Sequence, residues 1–346
     1  PIDRELSGGE ISDLIRMGDV KALVADDDVI KKIRENGKIS DGTIIISSEK
    51  TEDESIVSLE ALLLEGYSLM EKGYLPEKEE SIDPYALAVL LFTSGTTGIA
   101  KGVMLSNDNL CSDLAAVCTS VEATSDDLSL SVLPLHHTYE AITMLMMLFR
   151  GGCISFSKGF RHLLRDFSDY KPTVFVSVPL ILEKMHRRIT VALDKQGKLK
   201  KTKLLSLVSS GISEEKKRKM FAPIHQFFGG RLKKIIVGAA ALSASIAQDF
   251  ELFGIPVIIG YGLTECSPIV ICNCDKSRTA DSVGKPVEGV TVKLSNEDDK
   301  GIGEIHVRGP MVMLGYYKNK EQTDKVLKDG WFNTGDLGYK DKNGNW

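Results

Sequence analysis

Between residues 128 and 260, short apolar runs alternate with amphipathic stretches, a pattern that few folds accept. The runs lie at 128–133, 153–156, 173–178, 204–208, 234–237 and 256–259, and helical periodicity fills the intervals near 137–149, 160–170, 180–194, 213–228 and 243–253. Near-continuous apolar strands separated by helices imply a parallel sheet covered on both faces. Ser213 and Ser243 stand where N-caps belong, each worth about 1 kcal/mol. Residues 1–47 continue the theme, with strands expected near 21–25 and 43–47 and helices near 10–17 and 27–35. After residue 283 the pattern changes. Runs at 290–294 and 304–307 flank a polar turn, and one short helix is expected at 320–327. Residues 339–346 read as a strand, an Asn-Gly turn and the start of a return strand. The expected architecture is therefore α/β: mostly parallel sheets with helices on both faces over 1–282, then an antiparallel β subdomain over 283–346.

Composition narrows the class of protein. The 346 residues are 42% hydrophobic and 26% charged, as in an ordinary globular chain. A net charge of -5 argues against a nucleic-acid partner held on a basic surface. The basic run Lys216-Lys217-Arg218-Lys219 follows Glu214-Glu215 and reads as a solvated helix face. No apolar run reaches the roughly 18–20 residues that span a bilayer, which leaves room for peripheral membrane contact only. Six scattered cysteines fit free thiols in a reducing compartment, so the expected location is cytoplasmic. Cys266, Cys272 and Cys274 have no nearby histidine and do not match a common zinc spacing.

Four constellations carry the chemistry. The first is Thr93-Ser94-Gly95-Thr96-Thr97-Gly98-Ile99-Ala100-Lys101-Gly102, following a run at 85–92 that is apolar enough for a buried strand. Glycines let backbone N–H groups turn toward an anion, hydroxyls add donors, and Lys101 supplies a point charge suited to phosphate. A flexible Gly/Ser/Thr loop has the same composition. The spacing excludes a P-loop, since Lys101 lies between Ala100 and Gly102, and the dinucleotide fingerprint is absent. Val103-Met104-Leu105 looks extended, and Ser106 is placed to cap a helix over 107–121.

The second constellation follows from topology. A β-α-β unit over 234–259 makes its two strands parallel neighbours. Gly238-Ala239-Ala240 and Tyr261-Gly262-Leu263-Thr264-Glu265 then leave the carboxyl edge together, where open α/β sheets bind ligands. Small residues at 238–240 admit a flat ring and Tyr261 can stack on it. Thr264 can donate to a phosphoryl oxygen, and Glu265 can hold Mg²⁺. The third is His136-His137 at a strand-to-helix junction, where lining a crevice, capping a helix and packing in the core all remain open. The fourth is Thr334-Gly335-Asp336, which alone is ordinary turn chemistry.

Taken in order, these motifs resemble the adenylate-forming superfamily of AMP-binding enzymes: acyl-CoA synthetases, beetle luciferases and peptide-synthetase adenylation domains. Residues 93–102 match its T-S-G-T-T-G-x-P-K-G, with Ala100 where proline is usual. Residues 261–265 match Y-G-x-T-E, 303–309 match G-E-I-x-V-R-G, and 334–336 match T-G-D. The resemblance implies an acyl-CoA synthetase-like N-domain, with ATP, Mg²⁺ and coenzyme A as its small molecules. It implies that Thr93, Ser94, Gly95, Thr96, Thr97, Gly98 and Lys101 hold the β- and γ-phosphates. Gly238, Ala239, Ala240 and Tyr261 would receive the adenine, Thr264 the α-phosphate and Asp336 the ribose, with Gly262 also at the nucleotide. Glu265 would hold the Mg²⁺, and His137 would lie near the reacting carboxylate.

The stretch 133–140, with Val178-Pro179-Leu180, resembles long-chain fatty acid–CoA ligases. The function so implied is ATP-dependent activation of a fatty acid to an acyl-adenylate, then transfer to coenzyme A. The alternatives are loading of a carrier-protein thiol and a non-catalytic nucleotide-binding module. The family's C-terminal domain, with its lysine required for adenylation, is absent from these 346 residues, and the chain begins inside the usual N-terminal domain. On that reading the chain alone would adenylate poorly.

Overall fold

The computed structural model describes residues 1–39, 42–51, 53–74, 82–94, 100–197 and 211–346. The expected strand at 204–208 and the loop residues Gly95, Thr96, Thr97, Gly98 and Ile99 lie outside the described residues. The alternation over 128–260 produces a seven-stranded sheet in the order Cys153–Phe156, Leu128–Ser131, Val174–Ser177, Lys234–Val237, Val257–Gly262, Ile269–Cys272, Lys285–Pro286. The first five strands are parallel and the last two antiparallel.

Val174–Ser177 and Lys234–Val237 are buried at every position, as strands covered on both faces must be. Lys234 is the polar exception. Its ammonium donates to Asp275 Oδ1 at 2.5 Å and to the Glu122 carbonyl at 2.9 Å, so the buried charge is paired. Beside this sheet Phe167 meets Phe175 and Phe228 edge-on, with centroids 4.9 and 5.2 Å apart, an arrangement that rings favour through their quadrupoles.

Several expectations need correction. The pattern over 213–228 forms two helices, Glu214–Met220 and Ala222–Phe227, because Pro223 lacks the N–H that a continuous helix would use. Ser213 and Ser243 do occupy N-cap positions, but neither side chain makes the capping bond; Ser243 Oγ instead lies 3.0 Å from Ser245 Oγ. Ser106 does cap its helix, Asn107–Ser120, through a reciprocal box with Asn109. The N-terminal strands Ala22–Ala25, Ile44–Ser47 and Val57–Ser58 form a separate three-stranded parallel sheet.

The run at 85–92 is not a buried strand. Leu87–Ser94 pairs antiparallel with Ala100–Ser106, up to Ser94 opposite Ala100, and Tyr85 and Leu87 are exposed. The phosphate-type sequence thus joins the two arms of a β-hairpin. Gly315–Tyr316 adds a third strand on the far side of Ala100–Ser106.

Beyond residue 290, Thr291–Ser295, Gly303–Arg308, Trp331–Gly338 and Leu327–Lys328 form the expected antiparallel sheet. The turn expected within 339–346 forms: Asp341 N–H donates to the Asn345 carbonyl at 2.8 Å and Gly344 N–H to the Asp341 carbonyl at 3.0 Å, while the Asp341 side chain accepts from the N–H groups of Asn343 and Asn345, both at 2.8 Å. No strand pair follows, because Trp346 exchanges backbone bonds with Val283 and Gly284 instead. Among the described residues no helix is long and apolar enough to cross a membrane.

Candidate active site

Ile235 and Val237 stand opposite Val257 and Ile259 in the parallel ladder, so both strands release their chains at one edge. There they wall a crevice of about 500 Å³ with Gly238, Ala239, Tyr261, Gly262, Thr264 and Glu265. His137 and Phe160 line it too. Past Gly262 the chain makes a 3-10 turn, Thr264–Cys266, and a cis Ser267–Pro268 bond, then returns as Ile269–Cys272. This reversal is tight. Leu263 N–H donates to the Pro268 carbonyl at 2.9 Å, and a Cβ at Gly262 would stand 1.8 Å from that same oxygen. The reversal holds Thr264 and Glu265 at the rim.

Two tyrosines bring distant residues to this rim. Tyr261 Oη donates to Asp336 Oδ2 at 2.7 Å, which links the fourth constellation to the second. Gly335, at φ +76°, makes the turn that presents Asp336. Tyr316 Oη donates to Glu265 Oε1 at 2.8 Å, and Lys101 Nζ sits 5.1 Å from the Tyr316 ring centroid. Burial first, and then the neighbouring carboxylate, holds both phenols well above their usual range, so both remain donors. Tyr316 is therefore a site residue that the motifs did not reveal; its only signal was the aromatic pair Tyr316-Tyr317 beside a glycine.

The remaining candidates are placed less uniformly. Ala240 is exposed just beyond the crevice wall, while Lys101 and Asp336 reach the site through Tyr316 and Tyr261. Thr93 lies opposite Lys101 in the hairpin and Ser94 opposite Ala100. His137 is the N-cap residue of Thr138–Phe149 but makes no side-chain capping bond; it is exposed at the crevice. Its neighbour His136 lies against it, ring centroids 4.3 Å apart, with Nε2 3.8 Å from Asp3 Oδ2. No group of three or more His, Cys, Asp or Glu side chains converges as a metal site among the described residues. Glu265 would hold Mg²⁺ as a lone carboxylate, which suits a hard cation that completes its shell with phosphate oxygens and water.

One buried acid also escaped the sequence reading. Glu140 lines the crevice at 2% exposure, and burial pushes its carboxyl up to about 7 against the opposing effect of Ser131. A carboxyl raised on folding stabilises the fold fully below its unfolded value of 4.5, and that stability is lost as pH rises toward 7. Glu140→Gln removes this titration. The difference in unfolding free energy between variant and wild type is expected to move in the variant's favour by about 2–3 kcal/mol between pH 5 and pH 8. Denaturant titrations at the two pH values check this; an unchanged difference would contradict it.

Comparison with known proteins agrees with the geometry. The AMP-binding enzyme family matches residues 1–317. The peroxisomal long chain acyl-CoA synthetase 7 of Arabidopsis thaliana is 34% identical over 305 residues, covering 82% of this chain and 43% of that relative. Long-chain-fatty-acid–CoA ligase 5 of Mus musculus is 36% identical over 278 residues, 74% of this chain and 40% of the relative. The chain thus spans less than half the length of these curated relatives. Among solved structures, an anthranilate CoA ligase in complex with anthranoyl-AMP shares the fold at TM-score 0.76 and 21% identity, over 99% of this chain and 61% of that one. An ATP-bound RpMatB-BxBclM chimera aligns at TM-score 0.71 and 25% identity, over 100% and 62% of the two chains. The chain belongs to the AMP-binding enzyme family, and over most of its length it resembles the long-chain fatty acid–CoA ligases.

Proposed function

We propose that this chain is the nucleotide- and acyl-binding part of a ligase that activates a fatty acid with ATP and passes the acyl group to coenzyme A. The observation that carries the reading is a single crevice with a polar rim, Thr264, Glu265 and Tyr261, above an interior lined by Val117, Val121, Leu133 and Ile269. In this reading Thr93, Ser94, Gly95, Thr96, Thr97, Gly98 and Lys101 cradle the β- and γ-phosphates. Gly238, Ala239, Ala240, Tyr261 and Gly262 take the adenine, and Asp336, fixed by Tyr261, binds the ribose hydroxyls. Residues to 282 supply most of the crevice, and residues from 283 supply Tyr316 and Asp336.

The chemistry follows from positions. Thr264 orients the α-phosphate while His137 holds the fatty carboxylate beside it, so that carboxylate oxygen attacks phosphorus and pyrophosphate leaves. A coenzyme A thiol then attacks the acyl carbon and AMP leaves. Glu265 would hold a Mg²⁺, which would neutralise charge on the phosphates. Lys101 adds a fixed positive charge to the same region. Catalysis of this kind is chiefly orientation and preset electrostatics. The test is palmitate- and Mg²⁺-dependent exchange of pyrophosphate into ATP by the intact protein containing this chain. Exchange is expected to require a fatty acid; exchange indifferent to the acid, or none across an acyl panel, sinks the reading.

A further inference from the structure

The acyl side of the crevice contains a polar group for which an unbranched hydrocarbon chain has no use. Glu140 stands three residues after His137 on Thr138–Phe149, about 4.5 Å further along the helix. Its Oε2 is buried and has no hydrogen-bond partner among the described residues. Two donors on the same helix are committed elsewhere. Thr143 Oγ1 donates to the carbonyls of Tyr139 and Glu140, both at 2.9 Å, and Tyr139 Oη donates to the Ser177 carbonyl at 3.3 Å. Ser131 is the polar side chain that bears on Glu140. Around them the wall is apolar, with Val117, Val121, Leu133 and Ile269.

We propose that Glu140 is a specificity-determining residue of the acyl compartment, favouring fatty acids that carry a hydroxyl or similar hydrogen-bonding group near the carboxyl end. The inference rests on the acyl reading of the crevice given above. A plain chain passing Glu140 offers its carboxyl no partner on the crevice side, whereas a hydroxyl on one of the first carbons beyond the carboxyl pairs with it. Sites built to hydrogen-bond a substrate group discriminate strongly against the analogue lacking it, because the protein's own polar group is then stranded. Burial holds the carboxyl largely protonated at mildly acidic pH, and in that form it can both donate and accept.

The test is competition of palmitate and β-hydroxypalmitate against a fluorescent fatty acid bound to the intact protein at pH 6. The wild type is expected to prefer β-hydroxypalmitate by about tenfold or more. Glu140→Leu is expected to bring the two affinities together by tightening palmitate and weakening the hydroxy acid. Glu140→Gln, which keeps a donor and an acceptor, is expected to retain a preference. A wild type that binds both acids equally overturns the inference without recourse to any variant, and so does a preference that survives in a folded Glu140→Leu. Failure of the wild type to bind either acid overturns the acyl reading itself, a result readily told apart from equal binding.

Discussion

Gly262→Ala is expected to unfold the site region, lowering stability by more than about 3 kcal/mol or preventing folding altogether. The glycine's φ is not the reason. Its Cβ would meet the Pro268 carbonyl oxygen at 1.8 Å, the carbonyl carbon at 2.8 Å and Ile269 Cα at 3.0 Å, all of them backbone. Backbone can give way only if its ties break. Leu263 N–H donates to this same oxygen, Ser267 Oγ donates to the Met311 carbonyl at 2.9 Å, and Tyr261 pairs with Ile271 across the strands. Any relief of the clash therefore displaces Thr264 and Glu265. Denaturant midpoints and ATP titrations read the outcome. A matched control is Gly66→Ala, in the middle of the helix Leu59–Glu71 with nothing near its would-be Cβ. There alanine is expected to stabilise by up to about 1 kcal/mol. Equal effects at the two positions would show that the Gly262 contact is not what it looks like.

The second large effect is expected from Glu265→Gln. The amide keeps the size of the side chain and can still accept from Tyr316, so the fold should be unaffected. What disappears is the negative charge, on a side chain that is only part-buried and whose Oε2 has no protein partner among the described residues. Loss of a hard anionic ligand should reduce Mg²⁺-dependent ATP–pyrophosphate exchange by about a hundredfold or more. Tyr316→Phe leaves the carboxylate but frees its orientation, for a smaller loss of about tenfold. Exchange within about threefold of wild type in Glu265→Gln would remove Glu265 from the metal-binding role.

The central sheet was legible because its strands are buried on both faces, which writes them into the sequence as continuous apolar runs. Lys234 did not spoil the pattern, since one lysine in a run still leaves the run apolar. The strand Leu87–Ser94 eludes composition for the opposite reason. Val89 and Leu90 are only half-buried and Leu91 is fully buried, so the composition looked like core while the strand lies in a three-stranded sheet. Its third member, Gly315–Tyr316, is two residues long and has no periodicity to detect. The motif residues at 238–239 and 261–265 were legible as one crevice because a parallel β-α-β unit dictates their meeting. Asp336 and Tyr316 arrive from antiparallel segments whose docking no local rule specifies. Glu140 was hidden at the head of an apolar helix, where one acid reads as ordinary first-turn chemistry.

The two-residue strand Gly315–Tyr316 has a consequence for the order of events during synthesis. It pairs with Met104 and Val103, which leave the ribosome long before it does. Until then the edge of Ala100–Ser106 has unpaired backbone groups, and Glu265 lacks its phenol. Contacts of such high sequence separation form late and slowly. A nascent chain halted short of Tyr316 would hold most of the crevice and yet present an open, sticky strand edge, the kind of surface that invites chaperones or aggregation. Completion of the site and concealment of that edge are one folding event.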